Sequence, residues 1–461
     1  MASKFMKIFV IGFTLSIATA FAQDNKNHSE FIDGVYKKCL TEGTTYQLLG
    51  ELCEKFPNRL SGSPGAEKAI AWTKEVMQKY EFDNVFLQEV MVPHWVRGEK
   101  EQASIATGSS KIDLAILALG RSVATPAEGL TAEVIVVKSL EEIENLAPDK
   151  VAGKIVFYDE PFAQEFANTF RGYGASVQKR VAGASRAAKL GAVAVVIRSV
   201  GTGDDDFPHT GSLRYDEDAP QIPAAALGAH SADKLAKILQ KNPKAKLFLK
   251  MNCQTLPDVL SYNVIGEIKG SENPEAIIAV GGHLDAWDTG QGAHDDGAGV
   301  MQSIAALQTL KSLSYKPKHT LRAVMFINEE NGLRGGLKYA DLAVENNEKH
   351  IIAIESDAGG FTPRAFSFKG ADSSVAKMQN WIAYFPNNTI DAIRAGHGGA
   401  DIGPLNKADG TPVAGFIPDG QRYFDFHHSP ADVFSAINKR ELELGTASLA
   451  SFIYLIDQEG L

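Results

Sequence analysis

Cysteine is scarce: the 461 residues include three, Cys39, Cys53 and Cys253. That count excludes a cysteine-cluster zinc site, and a chain of this length does not depend on disulfides for a core. Cys39 and Cys53 are near enough in sequence to close a short loop, and buried free thiols suit the same positions equally well. Basic runs are missing. Lys and Arg number 46 against 56 Asp and Glu, a formal net charge of −10, so neither a nucleic acid nor an anionic membrane surface is expected as a partner. After the first 22 residues no apolar stretch is long enough to span a bilayer. There is no heptad array and no internal repeat. H-E-x-x-H, G-x-S-x-G, a Walker loop and a complete G-x-G-x-x-G are all absent, which removes the commonest hydrolase and nucleotide-binding signatures.

What is present begins with "MASKFMK", an apolar "IFVIGFTLSIATA" and "AFA" before Gln23. This is the pattern of a secretory signal cut after Ala22; the run is shorter than the roughly 20 residues a membrane anchor needs. Export to the periplasm or outside the cell is expected. Beyond it, the length suggests two or three domains. "SEFIDGVYKKCLTEGTTYQLLGELCEKF" has helical spacing, a helix starts at about Pro64, and "DNVFLQEVMVPHW" reads as extended. Between about 118 and 257, "AEVIVV", "GKIVFY", "GAVAVVIRS" and "QIPAAAL" form short β-rich runs around one helix, as in a small inserted module. Residues 258–461 alternate continuous apolar strands with helices. Together with residues 23–117 they are expected to form one α/β domain, a mostly parallel central sheet with helices on both faces.

In such a sheet, ligands bind beyond the carboxyl ends of the strands. Three strands end there in charge: "AIIAVGGHLD", "AVMFINEE" and "IIAIESD". Two residues along an extended chain side chains share a face, so the Asp285 carboxylate is expected to accept the far ring proton of His283 and orient it as a ligand. Asp295 and Asp296 precede "GAGVMQSIAAL"; one carboxylate suffices to cap that helix, so Asp295 is read as a bridge between two cations and Asp296 as its support. Glu329 and Glu330 point to opposite faces if extended; one can ligate while the other takes a proton from water. Asp357 adds a third carboxylate and "FDFHHSPAD" a late histidine, His427 or His428. Histidine and carboxylate donors without cysteine suit a catalytic zinc site, and a two-metal site lowers the pKa of a shared water towards 7.

"GGHLDAWDTGQGAHDDGAG", "NEENG", "ESDAGG" and "HHSPAD", in this order, resemble the co-catalytic zinc peptidases of the aminopeptidase and glutamate-carboxypeptidase family. "VPHWVRGE" (92–99) and "PHTG" (208–211) match one subgroup of it. The resemblance implies two Zn2+ per chain, His283, Asp295 and Glu330 holding one and Asp295, Asp357 and His428 the other. It implies Glu329 as general base, Asp285 as the residue orienting His283, and a cis peptide after Asp295. It implies a protease-associated-like lid domain for residues 118–257, and a homodimer. The activity implied is that of an exopeptidase cleaving dipeptides or short peptides with a free amino terminus.

Two other readings have their own signatures. Glutaminyl cyclases look similar in fold but carry a single zinc. Some members of the family have become non-catalytic receptors, and these lose ligands that are all kept here. His94 and Trp95 either line the cleft or pack the first extended segment, and His209 either reaches over the site or caps a loop. Residues 396–405 are expected to shape a substrate-side loop in which Asp401 holds backbone amides. Tyr423 either steadies an oxyanion or fills the core, and His294 has no role assigned.

Overall fold

The structure, a computed structural model, describes residues 27–107 and 110–461. The stretch read as a secretory signal lies outside the described residues. Two eight-stranded sheets organise the chain. In the first, Asn84–Val96 pairs antiparallel with Gln254–Ile268, which pairs antiparallel with His319–Phe326. From there His319–Phe326, Asn273–His283, Lys349–Glu355 and Val413–Pro418 run parallel, and Pro363–Lys369 and Ala392–Ala395 close the far edge. The expected mostly parallel sheet is thus mixed, with a parallel centre.

Alternation along these strands puts one set of apolar side chains on each face. Val264, Ile278, Val280, Ala323, Met325, Ile352 and Ile354 face the helices Pro64–Lys79, Ala298–Ser312 and Lys439–Glu459. Ile265, Ile277, Ala279, Val324, Phe326 and Ala353 face Arg334–Glu345 and Gly403–Asp409. The helix at Pro64 starts where its sequence places it: the Ser63 hydroxyl accepts the Ala66 N–H and proline occupies the first turn. Both faces of the parallel centre are covered, which is why its strands read as unbroken apolar runs.

The second sheet orders Ser110–Leu114, Gln102–Thr107, Lys246–Lys250, Leu130–Val137, Ile155–Tyr158, Ala194–Arg198, Ala224–Leu227 and Ile116–Ala118. Its strands start at Gln102, ahead of residue 118. Its apolar interior is not closed on itself: Tyr158, Phe162 and Val200 share a cluster with Phe361, Tyr423 and Phe424. Phe170 stacks on Tyr423 at 5.3 Å and Tyr173 on Phe424 at 4.6 Å. The second sheet is therefore docked on the segment that leads to His428. All three cysteines are free and buried.

Candidate metal centre

His283 ends its strand, and the Glu330 turn and Asp357 follow the two strands that flank it in parallel. Asp295 and Asp296 sit in a wide turn, Ala293–Gly297, that leads into the helix Ala298–Ser312, and the peptide between them is cis. His428, at φ +60°, follows the short helix Tyr423–Phe426. Separate elements thus bring together all five residues that the sequence nominates.

The contacts divide the five in a definite way. His283 Nε2 lies 3.3 Å from Asp295 Oδ1 and 3.6 Å from Asp357 Oδ1. His428 Nε2 lies 3.3 Å from Asp295 Oδ2 and 3.0 Å from Glu330 Oε2. Asp295 therefore turns one oxygen to each histidine. These contacts set Asp357 beside His283 and Glu330 beside His428, a division other than the one the resemblance implies. Among the described residues, donor atoms of His283, Asp295 and Glu330, the first set the resemblance implies, also lie within 4.8 Å of one another, and Asp357 enters a cluster only with His283 and Asp296.

Asp285 is placed differently from its expected geometry. His283 Nδ1 donates to the Asp285 carbonyl at 2.9 Å, not to its carboxylate. After His283 the chain leaves the sheet, so the two-residue alternation that aligned the side chains no longer holds. The carboxylate instead accepts backbone N–H groups of Asn328, Glu329 and Glu330, at 2.7, 3.1 and 3.4 Å. It thereby fixes the turn that carries both glutamates. That turn lies beyond the strand, which ends at Phe326, so Glu329 and Glu330 are separated by turn geometry and not by strand alternation.

Asp296 accepts the N–H groups of His283 (3.1 Å) and, as a cap of the following helix, Gly299 (3.0 Å). Its carboxylate fits only because two neighbours lack a side chain. A Cβ on Gly282 would come 2.2 Å from Asp296 Oδ2, and one on Gly299 would come 2.5 Å from Asp296 Oδ1.

Charge in this volume is poorly compensated. Asp295 Oδ2, Glu330 Oε2 and Asp357 Oδ1 are buried without a hydrogen-bond partner, a state native structures rarely leave unanswered. Burial, reinforced by Asp357, Asp295 and Asp285 and opposed by His283, pushes the Glu329 carboxyl up to about 8. Burial also raises Asp295, and depresses His428 with help from His427 and Arg180. A small cavity of about 10 Å³, lined by Trp287, Asp295, Glu330, His428 and Ser429, is the size that holds one water or ion. Unpartnered carboxylates facing imidazole nitrogens fit divalent cations, and the donor types fit zinc.

Around this set, Trp95 packs: its indole N–H donates to the Ser122 carbonyl at 2.9 Å. His94 sits half-buried on its strand. The His209 ring nitrogen Nδ1 bonds the His427 carbonyl at 2.7 Å, and the Thr210 N–H bonds that of His428 at 2.8 Å, so "PHTG" holds the histidine segment. His294 stacks on Phe361 at 4.1 Å. Tyr423 is buried and its hydroxyl faces Asp295. Asp401 is fully buried with neither carboxylate oxygen partnered; it is Glu355 that accepts the Ile402 N–H.

Three contributors escaped the sequence. Asp432 accepts the N–H groups of His294 and Asp295; its place in "HHSPAD" was the available signal. Arg59 donates to the carbonyls of Leu284, Gln291 and Gly292. Arg180, from the helix Gln178–Lys189 beside the second sheet, comes 3.4 Å from His428 Nδ1. No spacing announces either arginine.

The chain matches the model of peptidase family M28 over residues 263–453. It is similar to carboxypeptidase Q of Bos taurus, 37% identical over 423 residues covering 92% of this chain and 86% of the relative. A crystal structure of a peptidase M28 precursor from Shewanella amazonensis SB2B superposes with a TM-score of 0.90 at 34% identity, covering 95% of this chain and 98% of that one. A zinc aminopeptidase from Bacillus subtilis shares the fold, with a TM-score of 0.63 at 21% identity over 88% of this chain and 93% of that one.

Proposed function

This chain belongs to peptidase family M28 and is a metallo-exopeptidase, and on that premise we propose that it is an exported two-zinc enzyme cleaving dipeptides or short peptides with a free amino terminus. One observation carries the reading: Asp295 offers one oxygen to the His283 side and the other to the His428 side, with Asp357 and Glu330 completing the two sets. His283, Asp295 and Asp357 would hold one zinc; Asp295, Glu330 and His428 would hold the other. Two zinc ions so held would polarise the scissile carbonyl and acidify a water.

The remaining work falls to the chain. Glu329, half-buried beside these donors, takes a proton from the attacking water and passes it to the leaving amine. Asp285 holds the turn that aims it. The second sheet, docked on the histidine segment, walls the cleft as an inserted lid. Export follows the amino-terminal signal pattern, and among the described residues no helix is long and apolar enough to cross a membrane.

The test is a dipeptide assay on the purified mature chain with metal counting. Turnover abolished by a chelator and restored by zinc, with two ions per chain, supports the proposal; one ion per chain supports a cyclase instead. Glu329→Gln is expected to keep both metals and the fold and to lose about 10²–10⁴-fold in kcat; near-normal turnover in that variant excludes Glu329 as the base.

A further inference from the structure

The turn that carries both glutamates is tied by a small ring of side chains. Asn328 opens it at φ +73°, a left-handed conformation that asparagine tolerates better than most residues. The residue is fully buried, and its amide nitrogen donates to the Ser61 hydroxyl at 2.8 Å and to Asn331 Oδ1. Ser61 donates in turn to Asn331 Oδ1 at 2.8 Å. The orientation of Asn328 is fixed by these partners: both amide protons are used, and its Oδ1 accepts the Arg334 N–H at 3.2 Å. Space is equally restricted, since a Cβ on Gly332 would come 2.3 Å from Asn328 Oδ1.

Glu329 and Glu330 are the two residues enclosed between Asn328 and Asn331, and they are not held alike. Glu330 has side-chain anchors of its own, the Trp287 N–H at 3.2 Å from Oε1 and the His428 ring nitrogen 3.0 Å from Oε2. Among the described residues the Glu329 carboxylate accepts no hydrogen bond. Where Glu329 points is therefore decided by its backbone. Asp285 grips that backbone through its amides, and the Ser61–Asn328–Asn331 ring closes it from the other side. Ser61 comes from the loop before the helix Pro64–Lys79. The same loop carries Arg59, which donates to the Leu284, Gln291 and Gly292 carbonyls, so one stretch braces both the His283 and the Glu329 segments.

We propose that Asn328 and Ser61 are positioning residues for Glu329: their ring fixes the direction in which the base faces the attacking water, while the metal donors keep their places without it. This rests on the peptidase reading, with Glu329 as its base. Neither residue touches substrate, and neither moves a proton. A misplacement of about 1 Å at a reacting group costs up to about 10²-fold in rate, so a ring that removes play from Glu329 acts on turnover and not on binding.

The test compares the wild type with Ser61→Ala, Asn328→Gly and the double variant in dipeptide turnover at saturating zinc. Glycine at 328 keeps the positive φ without strain, so the change removes the ring and not the turn. Expected for Asn328→Gly is a fall in kcat of about 10–100-fold, with KM within about twofold of wild type. Its zinc stoichiometry and its zinc affinity, read by competition with a chromophoric chelator, should stay unchanged. Because both single changes break one ring, the double variant should be no slower than Asn328→Gly. If Asn328→Gly folds poorly, Ser61→Ala decides, with a fall of about 10-fold expected. A kcat within about threefold of wild type in the deciding variant overturns the assignment. Zinc affinity lost in step with turnover overturns it too, as do effects that multiply in the double variant. A wild-type chain without turnover would instead sink the peptidase reading.

Discussion

Asp285 shows how one carboxylate acts at a distance from the reacting atoms. Its oxygens collect three consecutive amides, so its loss should loosen Glu330 as a donor and Glu329 as a base together. Asp285→Asn keeps one acceptor oxygen and introduces N–H groups that face amides. It is expected to weaken zinc binding by about 10–100-fold, read by competition with a chromophoric chelator, and to lower kcat. Unchanged metal affinity would show the turn to be held by other means. Which residues gather at the centre was legible, because His283, Asp295, Glu330 and Asp357 each close an apolar run or open a helix. How they pair was not. Pairing depends on the turn after Phe326 and on the path after His283, both fixed by hydrogen bonds between segments remote in sequence.

Among the elements, the strands of the parallel centre and the helix at Pro64 were readable from periodicity and capping. The order of the strands was not, since two antiparallel strands at one edge look like any other apolar run. Backbones approach closely where the helix Ala298–Ser312 meets the turn after the strand Lys349–Glu355. Gly299→Ala would drive a methyl group into the Ser356 carbonyl, and a loss of about 1–3 kcal/mol or more in unfolding free energy is expected. A denaturation midpoint equal to wild type would mean that the helix can shift without cost. On the other face, burial and then Arg322 push His350 down to about 4, against Glu348 and Asp409, and its Nε2 bonds the Tyr339 hydroxyl at 2.7 Å. Between pH 6.5 and 4 the unfolded chain binds a proton there that the native chain refuses. Stability from this group is therefore present above pH 6.5 and falls as pH drops towards 4. His350→Phe should flatten that part of the Tm profile relative to wild type; parallel profiles would argue against it.

At the scale of the whole molecule, two sheets meet on one segment, and the metal centre lies beneath the joint. Arg180, Tyr173 and the "PHTG" loop all come from beside the second sheet and all reach the His427–His428 pair. Of this convergence the sequence offered one part, the reading in which His209 reaches over the site; Arg180 and Tyr173 had no signal, because their place depends on how two separately readable units dock. Among the described residues Asp295 Oδ2, Glu330 Oε2 and Asp357 Oδ1 accept no hydrogen bond at the joint, so bound ions should add to the stability of the native state. Exhaustive chelation is expected to lower Tm by several degrees and zinc to restore it; a Tm indifferent to metal would mean that the cluster is stabilised by something else.

Diffraction data collected on both sides of the zinc absorption edge from crystals grown with zinc test the centre most directly. Two anomalous peaks about 3.5–4 Å apart are expected, both touching Asp295, one completed by His283 and Asp357 and the other by Glu330 and His428. A single peak, or a peak that leaves Asp357 and His428 unused, would contradict this arrangement.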